Sequence, residues 1–538
     1  MKKILLNETT TPFVEIKIEN FKYDDEDKKI LEFLKSNKCH YNQETKKWII
    51  SKAYLNEFLD NIKNNENINI EIKKYGHIIY DNEIISLYPK NFTAYNYQIE
   101  GIKFLLNNKL AILGDELGLG KTIQTLIALK YLYNKNKNLK SIIVVPLSLI
   151  ESNWKPQFQQ IFNEPIENFH NFKLVNYEKF RTNEKEELLS HEYDVAIFDE
   201  ASRLRNPTQF RSGIKKANIE NVWLLSGELV EKDPIDIYTI LNTFYDYFNY
   251  VDFDRTFVIR KILRFGEKRI EKPIGFRNLE KLKEQLSPIY MRRLKKDVPG
   301  LKQVEIENQT RIVPLLKEQI ERLKEIQQDV LIKTKQYSTD TSSYILSMFQ
   351  TTRLVMDDAK YDKKNESIKS AKYDELKNIL NELGNEKSIV FTSYKMILEK
   401  LYDNLIKDEY KAIMIDSGMN SVKRSELLKE FKESNDISVL LTSDIMSSGQ
   451  NINEAYAVIH YDLPLMASTI SQRIGRINRL DQTRNSVLSI IISTDSKFDR
   501  SVENILNKKL VYGAVVKGEI PSFSFGTEEM EELLKNVL

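Results

Sequence analysis

The chain has 538 residues, 41% hydrophobic and 29% charged, which exceeds a single core and predicts about three domains of ordinary globular composition. A formal net charge of +2 says little about partners, one cysteine (Cys39) excludes an intramolecular disulfide or a cysteine-based zinc cluster, and five histidines at 40, 77, 170, 191 and 460 lack metal-ligand spacing. No apolar run approaches the ~20 residues that span a bilayer, and the opening Met1-Lys2-Lys3-Ile4-Leu5-Leu6-Asn7-Glu8 turns polar too soon for a signal peptide. No membrane partner is expected; the expected location is cytoplasmic and nucleoid-associated, or nuclear in a eukaryotic host.

Residues 1–85 read as a small α+β domain. Phe13–Ile18 alternates as a strand, Lys28–Lys35 carries apolar residues at helical spacing, Lys46–Ile50 is a strand with an aromatic anchor at Trp48, Ala53–Ile62 is a helix and Ile68–Ile72 a strand. A linker around Pro89 leads to a helix over Tyr97–Leu105. Short apolar runs then alternate with helical patterns: strands at Leu110–Leu113, Ile142–Val145, Val195–Phe198 and Val222–Leu225 predict a parallel sheet wrapped by helices. From 232 to 365 strands fade and long helical patterns dominate, as in Leu315–Val330. The alternation returns with Ser388–Phe391, Ala412–Ile415, Val439–Leu441, Ala457–Ile459 and Val487–Ile492. The expected fold is therefore α/β: two tandem doubly wound parallel-sheet lobes with helical insertions between them. The expected boundaries are 86–310 for the first lobe with its basic helical insertion, 311–365 for an insertion and linker, 366–515 for the second lobe and 516–538 for a tail.

Between the strand at Leu110 and the helix beginning near Thr122 lies Gly114-Asp115-Glu116-Leu117-Gly118-Leu119-Gly120-Lys121-Thr122. Glycines there let backbone N–H groups close on a phosphate, Lys121 supplies a charge near the β- and γ-phosphates, and the Thr122 hydroxyl suits magnesium. The strict spacing would place glycine at 115, where Asp115 stands, so the residues alone also admit a glycine-rich helix cap. Asp199 and Glu200 follow the third strand, at the carboxyl end where α/β sites form. Asp199 suits a magnesium ion and Glu200 the orientation of an attacking water; the other reading of the pair is a helix N-cap.

Residues 255–302 hold fifteen Lys/Arg against five Asp/Glu, whereas residues 1–90 balance at fifteen each. The first imbalance favours contact with an anionic polymer over a merely solvated face. Downstream, Gln472-Arg473-Ile474-Gly475-Arg476-Ile477-Asn478-Arg479 repeats arginine every third residue, as a surface helix does, or as cationic fingers for γ-phosphate charge do.

Together these residues give the chain a resemblance to the Swi/Snf-type DNA translocases of helicase superfamily two, over about 90–510. Tyr97-Gln98-Ile99-Glu100-Gly101 resembles the adenine-reading element, and the loop has the family form Asp-Glu-x-Gly-x-Gly-Lys-Thr, which accounts for Asp115. Val144-Val145-Pro146-Leu147-Ser148-Leu149-Ile150 with Trp154 matches a strand-contacting motif, and Asn176-Tyr177 the next. Tyr290-Met291-Arg292-Arg293-Leu294-Lys295-Lys296-Asp297-Val298 resembles a motif particular to the family, and Phe391-Thr392-Ser393, Leu441-Thr442-Ser443, Gly449-Gln450-Asn451-Ile452 and the arginine motif complete the order. The resemblance implies RecA-like lobes, with ATP and Mg²⁺ as cofactors. It implies ATP contacts at Gln98, Asp115, Gly118, Leu119, Gly120, Lys121, Thr122, Gly449 and Gln472, and magnesium at Thr122 and Asp199. Catalytic roles go to Lys121, Asp199, Glu200, Arg476 and Arg479. DNA contacts go to Pro146, Ser148, Trp154, Tyr177, Arg292, Arg293, Lys295, Thr392, Ser393, Thr442 and Ser443.

Two positions depart from the family pattern: Ser202 stands where His is usual, and Ser226-Gly227-Glu228-Leu229 replaces Thr-Gly-Thr-Pro in the element thought to couple hydrolysis to movement. Residues 12–62 resemble, less specifically, the small domain preceding the motor in annealing helicases, through Phe13-Val14, Tyr41 and Lys46-Lys47-Trp48; structural support and DNA recognition both remain open for it. The expected function is an ATP-dependent, monomeric translocase on double-stranded or branched DNA, acting in remodelling, strand annealing or fork repair. The alternatives are displacement or recycling of a DNA-bound protein such as RNA polymerase, antiviral defence, and a catalytically impaired scaffold.

Overall fold

The computed structural model describes the chain apart from residues 1, 9, 20, 44, 64–67, 75–77, 91, 182–191, 206–218, 228–234, 266–267, 303, 337–341, 364–365, 417, 445–450, 465–466, 479–481, 505–533 and 536–538. One compact unit takes in residues 1–150 and 154–298, and the second residues 151–153 and 299–538. No helix among the described residues is long and apolar enough to cross a membrane.

The first unit opens with a five-stranded sheet of β1 (Lys2–Glu8), β2 (Phe13–Ile18), β3 (His40–Asn42), β4 (Lys47–Ser51) and β5 (Ile68–Lys74), in the order β3-β4-β2-β1-β5. β1 is a strand that pattern reading passed over. It pairs antiparallel with β2 and parallel with β5, so Ile4, Leu5 and Leu6 are all buried and the alternation of a half-exposed strand is lost. This domain docks on the segment that follows the main sheet. Ser51 Oγ donates to Tyr247 O at 2.7 Å, Asn249 N donates to Tyr54 Oη at 2.9 Å, and Asn56 bonds Glu284 at 2.8 Å.

The main sheet of this unit has β6 (Leu110–Leu113), β7 (Ser141–Val145), β8 (Phe172–Asn176), β9 (Tyr193–Asp199) and β10 (Ile219–Leu225), joined at its edge by Tyr290–Met291. The order from that edge is Tyr290–Met291, β6, β10, β9, β7, β8, and every pair is parallel. All four residues of β6 and all five of β7 are buried, because helices cover both faces. The β6–β10–β9 order brings the carboxyl ends of β6 and β9 to one edge, either side of β10.

The basic insertion differs from the helical expectation. Helix Tyr250–Phe257 runs into an antiparallel ribbon, Val258–Phe265 against Lys268–Phe276, before helix Leu279–Leu286. Two residues, Gly266-Glu267, separate the strands in sequence, a hairpin signal that the charge density of the segment outweighed.

The second unit has a six-stranded parallel sheet of Glu305–Val313, Ser388–Phe391, Ala412–Ile415, Val439–Thr442, Ala457–His460 and Ser486–Thr494. Successive residues of its inner strands enter two separate cores. Val390, Leu441 and Ile459 pack on one face, and Ile389, Leu440 and Val458 on the other, as a doubly wound sheet requires. Glu305–Val313 pairs in register with Ser486–Thr494, so residues expected to close the first lobe, 305–310, belong to this sheet. Long-range strand pairing overrode the local helical pattern that set the boundary there.

Candidate nucleotide site and its supports

Gly118 (φ 93°) and Gly120 (φ 76°) hold the left-handed backbone that turns the chain out of β6 and into the helix Lys121–Lys135. Gly120 has a second reason to be glycine: a Cβ there would lie 2.7 Å from Gln98 Nε2. Gln98 is buried on the helix Asn96–Leu106, and its neighbour Tyr97 donates its hydroxyl to Leu119 O at 3.1 Å. Gln124, one turn into the following helix, donates to Leu119 O at 3.1 Å and to Asp115 Oδ2 at 3.0 Å. The loop is thus held from behind, at the positive end of the helix that follows it, where an anion is favoured. Lys121 Nζ donates to Asp115 O at 2.6 Å.

Asp115 is fully buried, and Arg293 meets its carboxylate with two parallel bonds, Nε to Oδ1 at 2.9 Å and Nη2 to Oδ2 at 2.6 Å. Arg293 also donates to Gln124 Oε1 at 3.0 Å and to Tyr97 O, and lies over the Tyr97 ring. Its expected DNA contact is corrected by this arrangement: the guanidinium points into the back of the phosphate loop. Arg292 and Lys295 beside it are half-buried.

Asp199 ends β9, 7% exposed, with Oδ2 accepting the Trp154 indole N–H at 2.8 Å and Oδ1 accepting Glu200 N at 3.0 Å. Burial, the Glu200 carboxylate beside it, and then the opposing pull of the Trp154 bond and the Lys121 ammonium leave its pKa raised to about 6. That Lys121 enters this balance puts the loop lysine and the acidic pair in one electrostatic neighbourhood. Ser226-Gly227, after β10, approaches the loop, since a Cβ on Gly227 would sit 3.9 Å from Asp115 O and 4.0 Å from Lys121 Nζ; Glu228 and Leu229 lie outside the described residues. Glu200 adopts φ 53°, a left-handed conformation that costs a non-glycine residue about 1 kcal/mol or more and is typical of functional sites. Thr122 and Asp199 offer hard oxygen donors, which fit magnesium with phosphate and water completing its shell.

Trp154 and Tyr177 are each 1% exposed. Their expected DNA contacts are corrected: Trp154 holds the Asp199 carboxylate, and Tyr177 donates its hydroxyl to Asp199 O at 2.7 Å. Pro146 is buried and Ser148 half-buried.

In the second unit the same inward turn recurs. Thr392 Oγ1 donates to Asp462 Oδ2 at 2.8 Å, Ser393 N to Oδ2 at 2.5 Å and Ser393 Oγ to Oδ1 at 2.7 Å. Thr442 is fully buried and donates to Ile415 O at 2.9 Å, while Ser443 stays half-buried. The expected DNA contacts of Thr392 and Thr442 are therefore corrected to structural bonds. Arg353 and Arg473 flank Asp462 at 3.7 and 3.6 Å, and Arg473 also pairs with Asp444 at 2.6 Å. Burial alone would raise the Asp462 pKa, but those two guanidiniums and the Ser393 bonds hold it below the ordinary carboxylate range. The helix Ala467–Ile474 stops before Arg476, so Arg473 and Arg476 do not share one helical face; Gln472 is on the helix, and Arg476, 1% exposed, follows it. Gly449 and Arg479 lie outside the described residues. Arg353 and Asp462 escaped sequence reading because a lone charge in an apolar run carries no local signal until its partner is placed.

A family profile described as SNF2-related domain matches residues 97–172 and 168–361, and one described as helicase conserved C-terminal domain matches 371–481. An uncharacterized ATP-dependent helicase of Mycoplasma genitalium is 26% identical over 490 residues, covering 85% of this chain and 45% of that protein. The uncharacterized ATP-dependent helicase YqhH of Bacillus subtilis is 25% identical over 495 residues, covering 84% of this chain and 85% of its own length. Transcription regulatory protein SNF2 of Saccharomyces cerevisiae is 25% identical, with 83% and 29% covered. The chain spans about 45% of the length of the two mycoplasma relatives it matches. Among solved structures, the Sulfolobus solfataricus SWI2/SNF2 ATPase core in complex with dsDNA is 20% identical, covering 84% of this chain and 98% of that one, at a TM-score of 0.37.

Proposed function

The chain belongs to the Swi/Snf-type ATPases of helicase superfamily two, and from that premise we propose that it is an ATP-dependent translocase on double-stranded DNA. The observation that carries the proposal is the single edge of the first parallel sheet on which the phosphate loop after β6 and the Asp199-Glu200 pair after β9 both end. Loop N–H groups and Lys121 bind the phosphates, and Gln98 reads the base. Asp199 and Thr122 are the residues that would hold magnesium, which supplies charge neutralisation at the β- and γ-phosphates. Glu200 orients the attacking water and takes its proton. Arg476, with Arg479, supplies the cationic charge that such transition states need, worth about 10³ to 10⁵ in turnover where it is removed.

DNA contact then falls to phosphates rather than base edges. With six of the expected contact residues turned inward, Ser393 among them through its two bonds to Asp462, and Pro146 buried, the reading rests on Ser148, Arg292, Lys295 and Ser443 and on the Lys/Arg excess of residues 255–302. Such contacts position the protein without reading sequence and weaken as salt rises. Strand annealing or fork remodelling is the purpose we assign, supported by the likeness of the N-terminal domain to that of annealing helicases.

The test is an ATPase assay with no nucleic acid, duplex, single strand, forked DNA and RNA in parallel. Turnover is expected to rise with duplex or forked DNA, and that stimulation to fall with salt. Turnover indifferent to every DNA would refute the proposal, and stimulation by RNA alone would redirect it.

A further inference from the structure

We infer that Arg293 is a positioning residue that ties occupancy of the phosphate loop to the stretch of chain leaving the first unit, an inference that rests on the nucleotide site proposed above. It begins with one peptide group. Lys121 Nζ holds the carbonyl of Asp115 at 2.6 Å, and the N–H on the other side of that peptide bond, Glu116 N, donates to Arg293 O at 3.0 Å. A peptide group is planar, so the carbonyl and the N–H turn together.

The remaining polar groups of these two residues grip the same segment. The Asp115 carboxylate takes both bonds from Arg293, and Glu116 Oε2 accepts Lys295 N at 2.7 Å. One residue earlier, Gly114 N donates to Met291 O at 2.8 Å, and the Tyr290 ring fills the space that any side chain on Gly114 would need. Residues 290–295 are therefore zipped to the loop, not merely packed near it. Three residues on, Val298 closes the first unit; Pro299 and Gly300 follow, Gly300 at φ 77° with open space around it. That conformation suits glycine alone without strain, and by Glu305 the chain has entered the other sheet.

A bound phosphate competes for Lys121, because an ammonium bonds an anion more strongly than a neutral carbonyl. When Lys121 leaves Asp115 O, the peptide plane loses the bond that fixed it, and its N–H is the one that holds Arg293 O. The bidentate Arg293–Asp115 pair keeps residues 293–295 following the loop rather than parting from it. Nucleotide occupancy is thereby passed to the segment that leads out at Pro299-Gly300.

The experiment is amide hydrogen exchange on the full chain, alone, with ADP and with a non-hydrolysable ATP analogue at saturating concentration. The analogue is expected to protect the loop amides 114–122 and to change exchange at 294–298 and 300–302 several-fold. Arg293→Gln is expected to keep the loop protection while losing the response at 294–302. Arg293→Lys, which retains one bond and the charge, is expected to keep part of it, and Glu116→Gln serves as a second probe that leaves the ion pair in place. Loop protection without any response at 294–302, or a full response in Arg293→Gln, would overturn the inference alone. No loop protection by any nucleotide would overturn the nucleotide reading and this inference with it.

Discussion

The Trp154–Asp199 hydrogen bond offers a quantitative test of the site, because it joins a buried neutral donor to a carboxylate that is 7% exposed. Hydrogen bonds to charged groups contribute about 1.5–3 kcal/mol, and here little solvent is available to replace the lost partner. Trp154→Phe removes the donor but also some packing, at less than the about 3–5 kcal/mol of a truncation to alanine. A double-mutant cycle of Trp154→Phe with Asp199→Ala separates the two, since only the hydrogen bond is lost twice. The stability of β9 would be read by hydrogen exchange in a urea series at pH 8 with EDTA, where the carboxylate is ionised. A coupling energy of about 1.5–3 kcal/mol is expected. Coupling below about 0.5 kcal/mol, the scatter of independent sites, would refute the reasoning. So would loss of duplex affinity in Trp154→Phe with stability intact, because a residue 1% exposed has no surface to offer DNA.

Asp462 should behave as the hub of the second unit: Asp462→Ala takes the carboxylate from buried Arg353 and leaves Arg473 with Asp444 alone, and a cost of about 3–5 kcal/mol is expected in denaturant unfolding of that unit. A loss under about 1 kcal/mol would show that Asp444 alone satisfies Arg473. His460 is buried, and burial, then the neighbouring Arg473, holds its pKa well below the ordinary value. Arg473 can only donate, so Nδ1 accepts at 3.3 Å and Nε2–H faces Ser489 Oγ at 3.3 Å, a neutral ring. The unfolded chain binds a proton near pH 6.5 that the folded chain refuses, so stability falls as pH falls below that value. The contribution is about 1.4 kcal/mol between pH 7.5 and 5.5, and His460→Asn should remove it from the pH profile of exchange in Ala457–His460. An unchanged profile would mean that the ring protonates in the fold.

Much of the frame was legible because its signals are local. The runs at Leu110–Leu113 and Ser388–Phe391 coincide with strands, and the glycines at 118 and 120 demand the left-handed turn found there. Side-chain direction was not legible. Motif wording placed Trp154, Tyr177, Thr392 and Thr442 near the right elements, yet their polar groups turn into the lobes, where buried carbonyls and carboxylates need donors. Asp115 and Arg293 stand 178 residues apart, and no local pattern announces such a pair. β1 was missed because burial on both faces erases period two, and the basic hairpin because its lysines and arginines mask its alternation.

The account stands most directly on phosphate release by the wild-type chain and by Glu200→Gln, each with and without duplex DNA, alongside ATP binding by both. Wild-type release stimulated by duplex, against Glu200→Gln that binds ATP but turns over about 10²- to 10⁴-fold more slowly, is the result expected. Equal release from the two proteins would contradict it.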